Sequence, residues 1–190
     1  MKVLVVVTIC CLLSVPAFAQ ESETSNRRGV FLGFAAGVAN SNLKFPAETQ
    51  NNTNLALNWK IGYLFNSKLA VLLNGAVSIY EYDLSGRSRS RDFGGVFASV
   101  QYFLSPKISV LGGVGIGTDA PVFYDVEGEE PGETDYHLGI GLVSSVGYEL
   151  HRYKKYSFGI QARFNYSRVK LPIGETSGFT SALLLGVDYY

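Results

Sequence analysis

The chain has 190 residues, and its 16 Lys and Arg balance 16 Asp and Glu, so it carries no basic surplus for nucleic acid. Hydrophobic residues make up 47% of it, yet beyond the first twenty positions no run is long and apolar enough to cross a bilayer as a helix. Cys10 and Cys11, the two cysteines, both fall in that first segment, which leaves the remainder without a disulfide or a thiolate metal site.

Residues 1–19 read as a cleaved secretory signal peptide. Lys2 supplies a basic start, Val3 to Val15 is a short apolar run, and Ala17-Phe18-Ala19 is a small-x-small cleavage signal. Thr8-Ile9 ahead of the cysteines does not fit a lipoprotein acceptor site. Residues 20–28 are polar and without periodicity, a flexible periplasmic leader. Residues 29–190 form one domain.

From Gly29 onward, apolar and polar residues alternate with a period of two, as they do in a strand with two unlike faces. The first predicted strand, Gly29–Asn40, puts Val30, Leu32, Phe34, Ala36 and Val38 on one face and small residues on the other; Phe31 breaks the pattern. The second, Asn54–Phe65, sets Leu55, Leu57, Trp59, Ile61, Tyr63 and Phe65 against Ala56, Asn58, Lys60, Gly62 and Leu64. The third, Lys68–Tyr82, opposes Leu69, Val71, Leu73, Val77 and Ile79 to Ala70, Asn74, Ala76 and Ser78. The fourth, Asp92–Leu104, opposes Val96, Ala98, Val100 and Tyr102 to Ser99 and Gln101.

The fifth, Lys107–Asp119, has Ile108, Val110, Val114 and Ile116 against Ser109 and three glycines. The sixth, Thr134–Leu150, has Tyr136, Leu138, Ile140, Leu142, Val146 and Tyr148 against His137, Ser145, Glu149 and glycines. The seventh, Tyr156–Val169, has Phe158, Ile160, Phe164 and Tyr166 against Ser157, Gln161, Arg163, Asn165 and Ser167. The eighth, Gly178–Tyr190, has Phe179, Leu183, Leu185, Val187 and Tyr189 against Thr180, Ala182, Gly186 and Asp188.

Short turns at Asn66-Ser67, Ser105-Pro106 and Arg152–Lys155 alternate with longer polar connections at 40–53, 84–91, 120–133 and 170–177. Eight strands with that asymmetry, one face continuous in carbon and the other carrying Asn and Lys in mid-strand, predict an all-β, eight-stranded antiparallel up-and-down transmembrane β-barrel. In lipid an unpaired strand edge costs several kcal/mol for each orphan backbone group, so the sheet closes. Aromatics gather at both strand ends: Tyr63, Phe65, Tyr102, Phe103, Tyr148, Tyr153, Tyr156, Tyr189 and Tyr190 at one, Tyr80, Tyr82, Phe93, Tyr136, Tyr166 and Phe179 at the other. They are read as girdles at the two membrane–water interfaces.

With these strands the chain resembles the small eight-stranded outer-membrane proteins of the OmpX and OmpA-transmembrane-domain type, and the outer membrane protein β-barrel domain group. The resemblance covers Gly29 to Tyr190 and implies a bacterial outer-membrane location, periplasmic termini and extracellular long loops. The ending Leu183–Tyr190 resembles the signal read by the barrel-assembly machinery, with Tyr189 in the lipid-facing place that Phe usually takes.

Asn58, Lys60, Asn74, Gln101, Glu149, Gln161, Arg163, Asn165 and Asp188 form an expected polar network in the barrel interior. The buried cations among them need partners. Glu149 and Arg163 sit about 20 Å apart by strand rise, so water or the amides are the expected partners of Arg163 and Lys60. Arg87, Arg89 and Arg91 in the second long loop offer charge-assisted contacts to lipopolysaccharide phosphate. Asp125, Glu127, Glu129, Glu130, Glu133 and Asp135 make the third long loop acidic, without the spacing of a calcium loop. His137 has Ser144 and Ser145 on its own strand at some two dozen ångströms, so no nucleophile–base pair is predicted.

The expected function is therefore non-enzymatic, with no cofactor and no metal: a monomeric surface protein with a side-chain-filled lumen, whose loops serve envelope integrity, adhesion or binding of an extracellular partner. Its other expected contacts are membrane lipid, lipopolysaccharide and the assembly machinery. A narrow channel or transporter is the alternative. A barrel lipid hydrolase and a soluble ligand-carrying barrel rank below both.

Overall fold

The computed structural model describes residues 28–46, 49–84, 87–122, 135–171 and 174–190, with every side chain among them except those of 82–84 and 87–89. The expected signal peptide and all but the last residue of the leader, the acidic residues 125–133, and the side chains of Tyr82, Arg87 and Arg89 lie outside these described residues.

Eight strands make up the fold: β1 (Gly29–Lys44), β2 (Thr49–Asn66), β3 (Leu69–Leu84), β4 (Arg87–Phe103), β5 (Ile108–Pro121), β6 (His137–Tyr153), β7 (Tyr156–Leu171) and β8 (Gly174–Tyr189). Each pairs antiparallel with the next, and β8 pairs back onto β1, which closes the barrel. The predicted architecture stands.

The strands run further than alternation alone suggests. β1 and β2 stay paired from Asn40↔Thr53 to Lys44↔Thr49, and β7 and β8 as far as Leu171↔Gly174. β4 starts at Arg87, five residues before the predicted Asp92. Above the apolar belt the outward face no longer needs carbon, so the period fades while the backbone ladder continues. Much of the expected loop sequence is therefore hairpin.

A walk along the register from Gly33 passes Lys60, Asn74, Phe97, Gly115, Gly141, Ser167 and Gly178 and returns to β1 at Leu43. The stagger is thus ten residues over eight strands, a strand tilt of about 40°. Every residue on that circuit points inward. At this size side chains fill the interior, and large ones nest on glycines. A Cβ at Gly178 would overlap Phe93 and Leu43, and one at Gly141 would stand 2.8 Å from Phe97.

The outward face is carbon: Ile140 is 75% and Leu185 64% exposed, and Val71, Leu73 and Val114 join them. So large an apolar surface requires hydrocarbon around it. Trp59 and Leu57 are half-buried on the same face. Tyr63, Phe65, Tyr102, Tyr148, Tyr153 and Tyr156 ring the turn end and Tyr136, Tyr166 and Phe179 the hairpin end, as girdles should.

Four aromatics expected in the girdles point inward instead. Phe103 and Tyr190 plug the turn end with Phe31. Tyr80 and Phe93 cap the hairpin end with Leu43 and Val169. Register parity decides the face of a strand-end ring, and Tyr80 shares its parity with inward Asn74 and Ser78.

Candidate functional site

The interior is a stack of polar tiers between two aromatic plugs. At the turn end, Glu149 Oε2 accepts from Ser157 Oγ at 2.7 Å, from the Tyr190 hydroxyl at 2.8 Å and from Arg152. The Tyr190 ring stacks on Phe31 at 5.7 Å, meets Phe103 edge-on at 6.2 Å and lies under the Arg152 guanidinium. Phe31, the misfit of the first strand's pattern, is therefore the platform for the C-terminal residue.

Above this plug a cavity of about 50 Å³ is lined by Lys60, Asp188, Glu149, Gln161 and Tyr190. Lys60 pairs with Asp188 at 3.6 Å and lies 5.9 Å from the Phe31 ring. The expected water or amide partner for Lys60 is here a carboxylate; β1 brings it close, since Gly33 is the register partner of both Lys60 and Asp188. A residue larger than Gly at position 33 would collide with that pair.

Arg163 holds the middle tier and is fully buried. Its Nη1 donates to Leu57 O at 2.6 Å and Asn58 Oδ1 at 3.3 Å. Its Nη2 donates to Val77 O at 3.0 Å and Ser78 Oγ at 2.8 Å. Its four acceptors are thus two main-chain carbonyls, one side-chain amide and one hydroxyl. The wall explains why these carbonyls are available. The β2–β3 ladder ends at Ala56↔Ser78, and the β3–β4 ladder skips from Ala76↔Gly95 to Ile79↔Asp92. Val77 and Ser78 are the last residues of β3 paired with β2 and fall in the gap toward β4, and Asp92 Oδ1 takes the Ser78 N–H at 2.7 Å.

Asn58 Nδ2 donates to Asn74 Oδ1 at 3.0 Å. Gln101, Gln161 and Asn165 are buried and inward as well. The nine interior residues picked from sequence all face the lumen, but they divide between two tiers, with Glu149 and Asp188 toward the turn end and Arg163 above them.

Near the hairpin end lies a group that sequence reasoning missed. Arg91 Nε donates to Asp119 Oδ1 at 2.6 Å, and Tyr80 OH donates to Asp119 Oδ2 at 3.0 Å. Arg91 Nη2 adds Asp119 O at 3.1 Å and Asp135 O at 2.8 Å. Arg91 was expected in a loop beside Arg87 and Arg89. It belongs to β4 and turns into the barrel, a buried structural cation. Parity carried the signal, since Arg91 shares its face with Phe97, Ser99 and Gln101. Asp119 likewise continues the inward row of Gly115 and Gly117. His137 is opposite Asp119 in the register, while Ser145 lies about 26 Å further down β6.

The model of the outer membrane protein beta-barrel domain family matches residues 5–190 of this chain. The chain belongs to that family. Solved structures of the same fold include Ail, the attachment invasion locus protein of Yersinia pestis, at 18% identity and a TM-score of 0.58, covering 86% of this chain and 100% of Ail. Ail in complex with the heparin analogue sucrose octasulfate matches at 20% identity and a TM-score of 0.57, over 85% and 99% of the two chains. Neisserial surface protein A matches at 15% identity and a TM-score of 0.54, over 85% and 98%. No curated protein matches the sequence. This member of the family is a closed β-barrel whose interior is filled by side chains.

Proposed function

We propose that this family member is a monomeric, non-enzymatic protein of the bacterial outer membrane, with periplasmic termini, that meets an extracellular partner through its long hairpins in adhesion or envelope integrity. The filled interior carries the reading. Tyr190, Phe31 and Phe103 block one mouth, Arg163 and its four acceptors cross the middle, and Tyr80, Phe93, Leu43 and Val169 cap the other. Side chains packed this way leave solute no path, and they brace the hairpins that project beyond the belt. A fold-mate, Ail, is known with a sulfated sugar analogue, which supports a polyanionic glycan as the first partner to try. The inward position of His137, far from the Ser144–Ser145 pair, supports the absence of hydrolytic chemistry.

Shortening the β1–β2 and β7–β8 hairpins should abolish binding of the refolded protein to host cells or glycan arrays while leaving its heat-modifiable migration intact. Retained binding would overturn the reading. The cavity beside Lys60 and Asp188 favours one second reading, a narrow ion path. Planar-bilayer recording separates the two, since steady openings removed by Lys60→Met would establish a channel.

A further inference from the structure

The outer wall formed by β7, β8, β1 and β2 changes character within one step along the strands. Below the step Phe164, Leu183, Val38 and Leu55 are all exposed carbon. At the step Tyr166 and Phe179 are register partners, both exposed, and Phe179 is the partner of Asn42 on its other side. One row beyond, Arg168 stands opposite Ser177, and Ser177 opposite Lys44. Arg168 and Lys44 are both exposed on the outward face, about 10 Å apart across the intervening strand.

Other charges facing this row are Lys170 and Glu175, which are register partners, and Glu175 accepts from Arg168 Nε. Among the described residues, three cations against one carboxylate leave the row positive. Beside it Asn40 Nδ2 donates to Asn51 Oδ1 at 2.7 Å and Thr53 Oγ1 at 2.9 Å. A carboxamide and hydroxyl patch therefore adjoins the cations on the same outer face.

Rings, amides and cations meet here at the upper edge of the apolar belt. An aromatic face takes the flat side of a sugar, carboxamides take its hydroxyls, and a guanidinium with an ammonium takes phosphate. We propose that this wall seats a phosphorylated glycolipid of the outer leaflet, the lipid A part of lipopolysaccharide. Its sugar phosphate lies between Arg168 and Lys44, its sugar against Phe179 and Asn42, and its acyl chains along Leu183 and Val38. A glycerophospholipid would use the cations but leave the amide patch unmatched. The inference rests on the reading that the hairpin end lies at the outer leaflet.

The test uses the full mature chain refolded in detergent, its folding confirmed by heat-modifiable migration, with retention of labelled lipid A measured against phosphatidylglycerol and against lipid A stripped of phosphate. Wild type should retain lipid A at least tenfold better than either competitor. The double variant Lys44→Ala with Arg168→Ala should lose about tenfold, and the turn-end control Lys68→Ala with Lys107→Ala should lose nothing. Equal retention by wild type and the double variant, or equal retention of phosphatidylglycerol, overturns the seat. Should the double variant not fold, undiminished binding of dephosphorylated lipid A to wild type overturns it alone. Folded protein in plain buffer without detergent would instead remove the membrane reading beneath it.

Discussion

Arg163 and Asp92 meet at one residue, Ser78. The guanidinium reaches the Ser78 hydroxyl and the Val77 carbonyl from inside the barrel, and the carboxylate takes the Ser78 N–H from β4. Two charged side chains thus stand in for the ladder bonds that β3 lacks toward β4 at this point. A gap in the ladder within an apolar slab would otherwise leave orphan amides, each costing several kcal/mol. The interior cation is therefore part of the wall.

Arg163→Met keeps the volume and removes all four donations, leaving the Leu57 and Val77 carbonyls buried without them. The expected loss is ~3–5 kcal/mol, the range for breaking a buried charged group from its partners. Arg163→Lys should lose roughly half as much, since an ammonium cannot reach both carbonyls through a rigid fork. Urea unfolding in detergent micelles, read by the fluorescence of Trp59, would show the order wild type, Lys, Met in midpoint. Equal midpoints would mean the wall holds without its pin.

Tyr190 predicts a second hierarchy. Its hydroxyl bonds the Glu149 carboxylate and its ring lies between Phe31 and Phe103. Tyr190→Phe removes a hydrogen bond to a charged group, about 1.5–3 kcal/mol. Tyr190→Ala also empties the plug and should cost ~3–5 kcal/mol. Tyr189 faces outward against Tyr156 at 5.4 Å, and Tyr189→Ala should cost no more than ~1 kcal/mol. Unfolding midpoints of the three variants check the order.

The face of each strand was legible because a barrel in lipid leaves a two-residue period that nothing else in the chain imitates; Leu55, Ile61, Val71 and Leu185 are exposed as that period requires. What stayed hidden depends on the third dimension. Arg163 finds its acceptor 106 residues away at Leu57, a distance that only the stagger of the closed barrel sets. Tyr80, Phe93, Phe103 and Tyr190 looked like interface rings because they stand at strand ends, yet parity turns them inward. Arg91 looked like loop charge because its strand continues past the apolar belt, where no pattern marks it.

Glycine replacements separate filled interior from open exterior. A methyl at Gly178 would overlap Phe93 and Leu43 in the hairpin-end cap. Gly178→Ala should cost ~1–3 kcal/mol by overpacking. At Gly112, exposed on β5, an added Cβ meets nothing within 4 Å, so Gly112→Ala should be neutral or stabilise by ~0.4–1 kcal/mol through the unfolded chain. Paired unfolding curves would show opposite shifts, and a destabilised Gly112→Ala would contradict an open outer face there.

Depth along β6 gives the sharpest measure of where hydrocarbon begins. Leu142 lies midway between Tyr136 and Tyr148 on the outward row, and all three are exposed. Twelve residues separate the tyrosines, about 40 Å along the strand and about 30 Å along the axis at the observed tilt. That height matches an apolar band with an aromatic at each edge. Leu142→Arg should cost ~2–4 kcal/mol in a phospholipid bilayer, and Tyr136→Arg only about 0–1 kcal/mol. The contrast comes from the solvent alone, because neither change touches the packed interior. Folding titrations in vesicles would therefore show a large gap between the variants; equal small losses would mean that water, and no lipid, surrounds Leu142.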